Sequence, residues 1–306
     1  MNLGNKKKLK IARLKYLLVL LIGFLSRMSY SQVQLLPGEV LPVLKDVRVS
    51  VSAQFSPNGI FTYSYAIVNL PLNTGKIDRV EVDISRDTSS VQFGAEGLIN
   101  DNSFVESIAN QALLVPIGLR SPTNWISGLN VDRTAGWGAV AVEQEIAPGK
   151  MLDGFLIQSR GVPGIRGITL HPEFAQTPVD EASESDVQRL DAIEKQIKFN
   201  TVTIGPDAPE SLEPISLIDR LISLKHQSIS LRWIFGPGSK GITNSLDAKL
   251  NAAKDSVSRG NNDAAKGQLG AFINEAEAQH GKHLNDNAFF LLKVNAEFIV
   301  SKLGSP

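Results

Sequence analysis

Hydrophobic and polar residues alternate along the first part of the chain and recur at helical spacing along the last part. Alternation is typical of half-buried strands, and its clearest example is the nine-residue run from Val47 to Phe55. The turn Pro57-Asn58-Gly59 comes next, and a second alternating run begins at Phe61. Because Asn-Gly tolerates the positive φ of a tight hairpin, these runs predict a β-hairpin.

Further short strands are predicted in the same region, with Gly, Pro and Asn between them. They are expected at Val80–Ile84, Leu113–Ile117, Trp125–Val131, Trp137–Val142 and Gly154–Ser159, and one helical pattern falls at Phe104–Ala112. Six or seven short strands with such turns predict an antiparallel β-sandwich of immunoglobulin type over residues 32–172. The chain has no cysteine, so the likeness to antibody domains is architectural.

Apolar residues at helical spacing predict four helices in the last third. They run from Leu217 to Trp233, from Leu246 to Val257, from Ala265 to Ala276 and from Phe289 to Leu303. Short loops make neighbouring helices antiparallel, so residues 212–306 are predicted to form an up-down helical bundle. Residues 173–211 are expected to be a linker with a short helix ending near Ile197. The predicted fold class is therefore α+β with two domains.

The N-terminal 31 residues resemble a secretory signal peptide. A basic stretch, residues 6–15, precedes the ten-residue apolar run from Tyr16 to Leu25, which is shorter than the roughly 20 residues of a membrane span. Small residues then suit cleavage between Ser31 and Gln32. The expected product is secreted or held at the cell envelope, with no stable transmembrane anchor after cleavage. An uncleaved anchor is the alternative, and an intact Met1 on the exported form would establish it.

The charge of the chain changes when that peptide is removed. Lysines and arginines equal aspartates and glutamates at 31 each, but seven of the basic residues and none of the acidic ones lie in residues 1–31. The mature chain thus has 24 basic against 31 acidic residues, a net charge of −7. An acidic protein repels phosphate backbones, so nucleic acid is not an expected partner, and anionic membranes are disfavoured for the same reason.

Several spaced elements of the helical region occur together in one order. They are Ser245-Leu-Asp-Ala-Lys-Leu250, Arg259-Gly-Asn261, Gln268-Leu-Gly-Ala-Phe-Ile-Asn274, Ala278-Gln279, Gly281-Lys282 and Leu284. This series resembles the FIMAH-type domain, a helical module common at the C-termini of exported bacterial and archaeal proteins. The first region resembles the partner domain of such proteins in three short runs: Tyr63-Ser-Tyr-Ala-Ile-Val-Asn69, Ile146-Ala-Pro-Gly149 and Val162-Pro-Gly-Ile-Arg166. The resemblance implies an accessory or surface role and supplies no catalytic residues.

Candidate chemistry is sparse in this sequence. Trp125 and Trp137 could stack on sugars or fill the core. Gly236, Gly238 and Gly241 match the dinucleotide fingerprint literally, but they follow a helical stretch instead of a strand. His280 and His283 flank a helix break with no ligand to complete a metal site. An acidic stretch has no calcium-loop spacing, and its residues are Asp180, Glu181, Glu184, Asp186, Asp191 and Glu194.

These observations favour an exported, non-catalytic binding, adhesion or scaffolding protein without cofactors or metal. Its expected partner is an extracellular or envelope protein or polysaccharide, whose identity and binding residues the sequence does not give. One alternative is a secreted polysaccharide hydrolase or its accessory binding module, because paired carboxylates meet only in space. A self-assembling structural protein of the envelope is another. An exposed row of Trp125 with Tyr63 or Tyr65 would favour sugar binding.

Overall fold

A computed structural model describes residues 41–85, 116–130, 133–173 and 192–304. It has nine strands in two antiparallel sheets, followed by helices in the C-terminal part. The strands are β1 (Val47–Phe55), β2 (Phe61–Asn69), β3 (Ile77–Asp83), β4 (Gly118–Arg120), β5 (Trp125–Leu129), β6 (Thr134–Ala139), β7 (Lys150–Ser159), β8 (Val162–Pro172) and β9 (Phe199–Asp207). The predicted α+β class, with antiparallel strands first and helices last, is confirmed.

The two sheets face each other across a shared apolar layer. Sheet A has the strand order β1-β2-β7-β4, and sheet B has the order β5-β6-β3-β8-β9. The predicted hairpin is confirmed, since β1 and β2 pair from Phe55 opposite Phe61 onwards and Gly59 has a φ of 81°. Tyr65 of sheet A lies 6.2 Å from Trp137 of sheet B, measured between ring centroids. We call this assembly the sheet pair.

Four long helices follow the sheet pair. They are α1 (Pro214–Ser230), α2 (Ser239–Ser258), α3 (Asn262–Gln279) and α4 (Asp286–Lys302). Pro214 begins α1, where a backbone nitrogen has no hydrogen-bond partner within the helix and the missing N–H of proline costs nothing. The side chain of Asn261 accepts from the Ala264 backbone N–H at 3.0 Å, and Asn285 caps α4 in the same way. Consecutive helices contact each other, and α1 also contacts α4.

Helix α4 packs against the side of the sheet pair where β1 and β9, one edge strand from each sheet, come together. Phe298 of α4 meets the rings of Phe55 and Phe61 edge-on, with centroids 5.4 and 5.3 Å away. Buried apolar residues of both sheets and all four helices form one continuous cluster. The helix therefore covers two edges that would otherwise be open to pairing with other chains.

The structure differs from the predicted boundaries in the second sheet. Strand β8 was not predicted, because Pro163, Gly164 and Gly167 interrupt its apolar pattern. Strand β9 lies inside the expected linker 173–211, so the sheets do not end at residue 172. Pro206 is tolerated there because β9 is an edge strand. Of the strand expected at Leu113–Ile117, only residues 116 and 117 are described, and they precede β4, which begins at Gly118. Strand β6 begins before Trp137.

Some predictions concern residues outside the described ranges. These are the signal peptide, the helix at Phe104–Ala112 and most of the acidic stretch. Of the linker helix, residues 192–197 are described and are helical; we call this segment the connector helix. Helix α1 ends at Ser230, so Trp233, which was expected to be helical, lies in the following loop.

Candidate functional site

The outer face of sheet B carries a group of charged side chains that face away from the apolar layer. In β3, Val80 and Val82 are fully buried inside, so alternation turns Arg79 and Glu81 outward. His171 of β8 lies opposite Arg79 in the strand register. Glu194 reaches the same place from the connector helix. We call Arg79, Glu81, His171 and Glu194 the charge cluster.

Both ring nitrogens of His171 are engaged by carboxylates. Nε2 lies 3.0 Å from Oε2 of Glu81, and Nδ1 lies 3.0 Å from Oε1 of Glu194. Arg79 completes the group, because its Nη2 donates to Glu194 and lies 2.7 Å from His171 Nδ1, while its Nε lies 3.3 Å from Glu81 Oε1. Asn130 also donates to Glu81 Oε1, at 3.2 Å. Two acidic and two basic groups thus neutralise one another.

Interactions between opposite charges affect the pKa values of this cluster more than burial does. Burial alone would raise the pKa of Glu194, but His171 and Arg79 outweigh it and lower that pKa to about 2. The pKa of Glu81 is lowered in the same way. Burial and Arg79 oppose a charge on His171, yet its hydrogen bonds with Glu194 and Glu81 raise its pKa. When His171 is protonated, neither ring nitrogen has a lone pair to accept a substrate proton. The contacts of His171 with Glu81 and Glu194 suit the cluster to holding the connector helix against the sheet.

Two further carboxyl groups, Glu145 and Glu173, lie near the start of β3. Ile146 forms a backbone bridge with Ile77 of β3, and this bridge brings Glu145 to the strand. Burial, then a hydrogen bond with Glu173, raises the pKa of Glu145 to about 9, while Lys76 Nζ lies 4.0 Å from its Oε2. The two carboxyls of a glycosidase are separated by about 5–9.5 Å, whereas a hydrogen-bonded pair is in direct contact. Glu145 and Glu173 therefore do not match that geometry.

The aromatic candidates for sugar stacking are all buried. Trp137 is fully buried and donates through Nε1 to the carbonyl of Arg120 at 2.8 Å. Trp125 lies on an edge strand, yet its ring packs edge-on against Phe155 at 5.1 Å and is also buried. Tyr63 and Tyr65 are buried too, and each hydroxyl donates to a backbone carbonyl. These four residues fill the core and form no exposed row.

The two histidines considered as metal ligands have separate partners. His280 stacks on Phe289, with ring centroids 3.9 Å apart, and its Nε2 lies 2.8 Å from Asp286 Oδ1. His283 Nδ1 lies 2.9 Å from the carbonyl oxygen of Phe235. Within the ranges that the structure describes, no three potential ligands come together for a metal ion. Gly236 and Gly238 lie in the loop before α2 and against His283, whereas Gly241 lies in the first turn of α2. The element before them is α1 and not a strand.

A third polar group joins the helices to the sheets. Asp207 at the end of β9 lies 2.6 Å from Arg220 Nη2 of α1 and 3.3 Å from Arg166 Nη2 of β8. Arg166 also donates to the carbonyl of Pro206 at 2.7 Å. Arg220 Nη1 donates to Asn295 of α4 at 3.1 Å. We call these four side chains, Arg166, Asp207, Arg220 and Asn295, the polar seam.

Sequence analysis did not identify the charge cluster or the polar seam. Arg79 and Glu81 are polar positions that alternate with the valines of the strand predicted at Val80–Ile84, and Glu194 was noted only as part of an acidic stretch. Their contacts join positions up to 115 residues apart, and no local pattern reports such a distance. The one available signal was that Arg79 and Glu81 alternate with the apolar residues of a strand, which places two charges on the same face of the sheet.

Comparison with models of known protein families finds no match, and comparison with curated proteins finds none either. Every helix in the described ranges falls short of the length or the apolar character that a membrane span requires.

Proposed function

We propose that this chain is an exported, non-catalytic binding, adhesion or scaffolding protein of the cell surface or extracellular space. The observation that carries the proposal is the state of the ionisable groups. In the charge cluster and the polar seam, side chains of opposite charge are buried or half-buried against one another. Glu145 is paired with Glu173. A catalytic site needs at least one such group to face its substrate.

The proposal includes the finer architecture expected from the sequence. The sheet pair is proposed to be an immunoglobulin-like β-sandwich, and the helices an up-down bundle of the FIMAH type. Their shared core and the polar seam support a protein in which the two parts act as one rigid body. A rigid body suits display or scaffolding, because binding then costs little conformational entropy.

Export is tested by the N-terminus of the protein recovered outside the cell. The proposal expects cleavage between Ser31 and Gln32, so that sequencing of the exported form begins at Gln32. An exported form that retains Met1 would contradict cleavage.

The binding function is tested with immobilised mature protein, residues 32–306. It is incubated with the envelope proteins and the polysaccharides of the producing cell, and the retained material is identified. Retention of a protein or polysaccharide by the folded protein, and not by the same preparation after thermal unfolding, is the expected result. Absence of any retained partner would remove the basis of the proposal.

The alternative of a polysaccharide hydrolase is tested on the same preparation. The polysaccharides are incubated with the mature protein, and released reducing ends are measured. The proposal expects no release above background. Release that disappears in Glu145→Gln or Glu81→Gln would overturn the non-catalytic assignment and identify the acidic group responsible.

A further inference from the structure

The loop between α1 and α2 is hydrogen-bonded to the loop between α3 and α4 at one end of the helices. The backbone N–H of Phe235 donates to the carbonyl of His283 at 2.9 Å, and His283 Nδ1 contacts the Phe235 carbonyl in return. Ile234 and Leu284 add a backbone bridge between the same loops. We call residues 229–241 and 280–285 the basic tip. Because the loops are bonded together, its side chains have a defined arrangement.

The basic tip lies at the end of the helices that points away from the polar seam. Arg220 of α1 and Asn295 of α4 meet at the seam. From there α1 continues for ten residues to Ser230, and α4 extends back for nine residues to Asp286. At 1.5 Å per residue, both paths are about 15 Å long. The tip is therefore separated from the sheet pair by more than the Debye length of about 8 Å at physiological salt.

The charge of the basic tip is opposite to that of the mature protein. Its exposed residues include Arg232, Lys240 and Lys282, and the two stretches contain no Asp or Glu. Carboxylates close to the tip along the chain have basic partners. Asp286 lies against His280, Glu277 against Lys293 and Asp247 against Lys225. The tip is thus a cationic surface on a protein whose residues 32–306, the proposed mature form, have a net charge of −7.

The same surface exposes apolar side chains. Phe235 is 41% exposed and Leu231 is 36% exposed. Neighbouring Arg232 has a φ of 57°, a left-handed conformation that is unusual for a side chain with a Cβ. Exposed Phe and Leu among Lys and Arg match the chemistry of the membrane interface, where apolar groups enter the acyl boundary and cations meet the headgroups. An aliphatic side chain such as Leu231 offers no stacking surface for a sugar.

We infer that the basic tip docks the protein onto an anionic lipid surface, with Phe235 and Leu231 entering the interface and Arg232, Lys240 and Lys282 contacting the headgroups. The expectation from net charge that anionic membranes are disfavoured does not apply at the tip, because repulsion from the acidic sheet pair is screened over the separation of about 15 Å. The inference gives a partner to the proposed binding function and rests on it.

The test measures partitioning of the mature protein to vesicles of 70% phosphatidylcholine and 30% phosphatidylglycerol, with pure phosphatidylcholine vesicles as the neutral reference. Each Lys or Arg near an anionic leaflet increases the affinity for the membrane about fivefold. The triple variant Arg232→Gln/Lys240→Gln/Lys282→Gln is therefore expected to bind on the order of 100-fold more weakly. Phe235→Ser is expected to lose about fivefold, since part of the ring is available for burial.

The matched control is Lys45→Gln/Arg48→Gln/Arg259→Gln, which removes the same charge from exposed positions outside the tip. It should bind within about threefold of the wild type, because these charges do not meet the headgroups. Thermal unfolding checks that all variants are folded. Equal losses in both triple variants, or equal binding to neutral vesicles, would overturn the inference.

Two further results separate this inference from the proposed function. If the wild type does not bind the vesicles but retains an envelope protein or polysaccharide, the inference about the basic tip is wrong and the proposed binding function is still supported. Binding to soluble dextran sulfate without binding to the vesicles would overturn the assignment of lipid as the anionic partner.

Discussion

The polar seam offers the sharpest test of how the sheets and helices are held together. In Asp207→Asn, the side chain keeps its shape but loses the charge that lies between Arg166 and Arg220. Removing one partner of a buried ion pair costs about 3–5 kcal/mol. The Asp207 side chain is 26% exposed, and both arginines keep bonds to backbone carbonyls. We therefore expect a loss in the free energy of unfolding near the lower limit, about 3 kcal/mol.

The assay is urea unfolding of the mature protein, followed by circular dichroism. Asp219→Asn is a matched control, because Asp219 is on the same helix as Arg220 and pairs with Lys254, but both side chains are well exposed. Exposed pairs contribute about 0–1 kcal/mol, so this variant should differ little from the wild type. A double-mutant cycle of Asp207→Asn with Arg220→Met isolates the pair and should give a coupling energy above about 1 kcal/mol.

The reasoning is refuted if Asp207→Asn costs no more than Asp219→Asn. It is also refuted if the cycle gives no coupling, since the loss would then come from Asp207 alone and not from the contact between the sheets and α1.

Three further predictions concern titration and packing. The pKa of His171 in the folded protein is raised above 6.5, so the stabilisation from its charge is present below pH 6.5 and is lost as pH rises through the folded pKa. His171→Gln should therefore lower the free energy of unfolding more at pH 5.5 than at pH 9. An equal loss at both pH values would exclude a protonated His171. The pKa of Glu145 is about 9 in the folded protein against 4.5 in the unfolded chain, so the free energy of unfolding falls as pH rises between these values. At pH 8, Glu145→Gln should have a free energy of unfolding higher than that of the wild type by more than about 1 kcal/mol. A less stable variant would contradict this prediction. Phe298→Ala should cost about 3–5 kcal/mol in urea unfolding, because its ring contacts both Phe55 and Phe61; a loss below about 1 kcal/mol would show that the contact does not hold α4 in place.

Local sequence patterns were sufficient to predict those helices and strands whose formation depends on neighbouring residues in the chain. The helices α2, α3 and α4 follow apolar spacing, and α3 and α4 also begin at asparagine caps. The β1–β2 hairpin follows its Asn-Gly turn. Strands β8 and β9 were missed because prolines and glycines are usually turn signals. In the structure Pro163 and Pro206 lie opposite each other at the outer end of the sheet, where neither nitrogen has to donate to β3.

The charge cluster could not be predicted for a different reason. Its members come from β3, β8 and the connector helix, and each was an ordinary polar residue within its own segment. What gives His171 its environment is the register that sets it beside Arg79 and the packing that brings Glu194 over it. Both are consequences of tertiary structure, so one sequence contains no pattern for them.

The motif residues behind the family resemblance have structural contacts in this protein. The Asn69 side chain donates to the carbonyl of Ile146, and its backbone carbonyl accepts from Gly149, so two of the quoted runs meet. The carbonyl of Pro163, in the third run, accepts from Arg220 and Asn295. These residues form the joints between strands and between sheets and helices. A protein can keep such joints and change its exposed loops, so the binding specificity has to be sought on surfaces outside them. The basic tip is one such surface, because exposed charged and apolar side chains meet there.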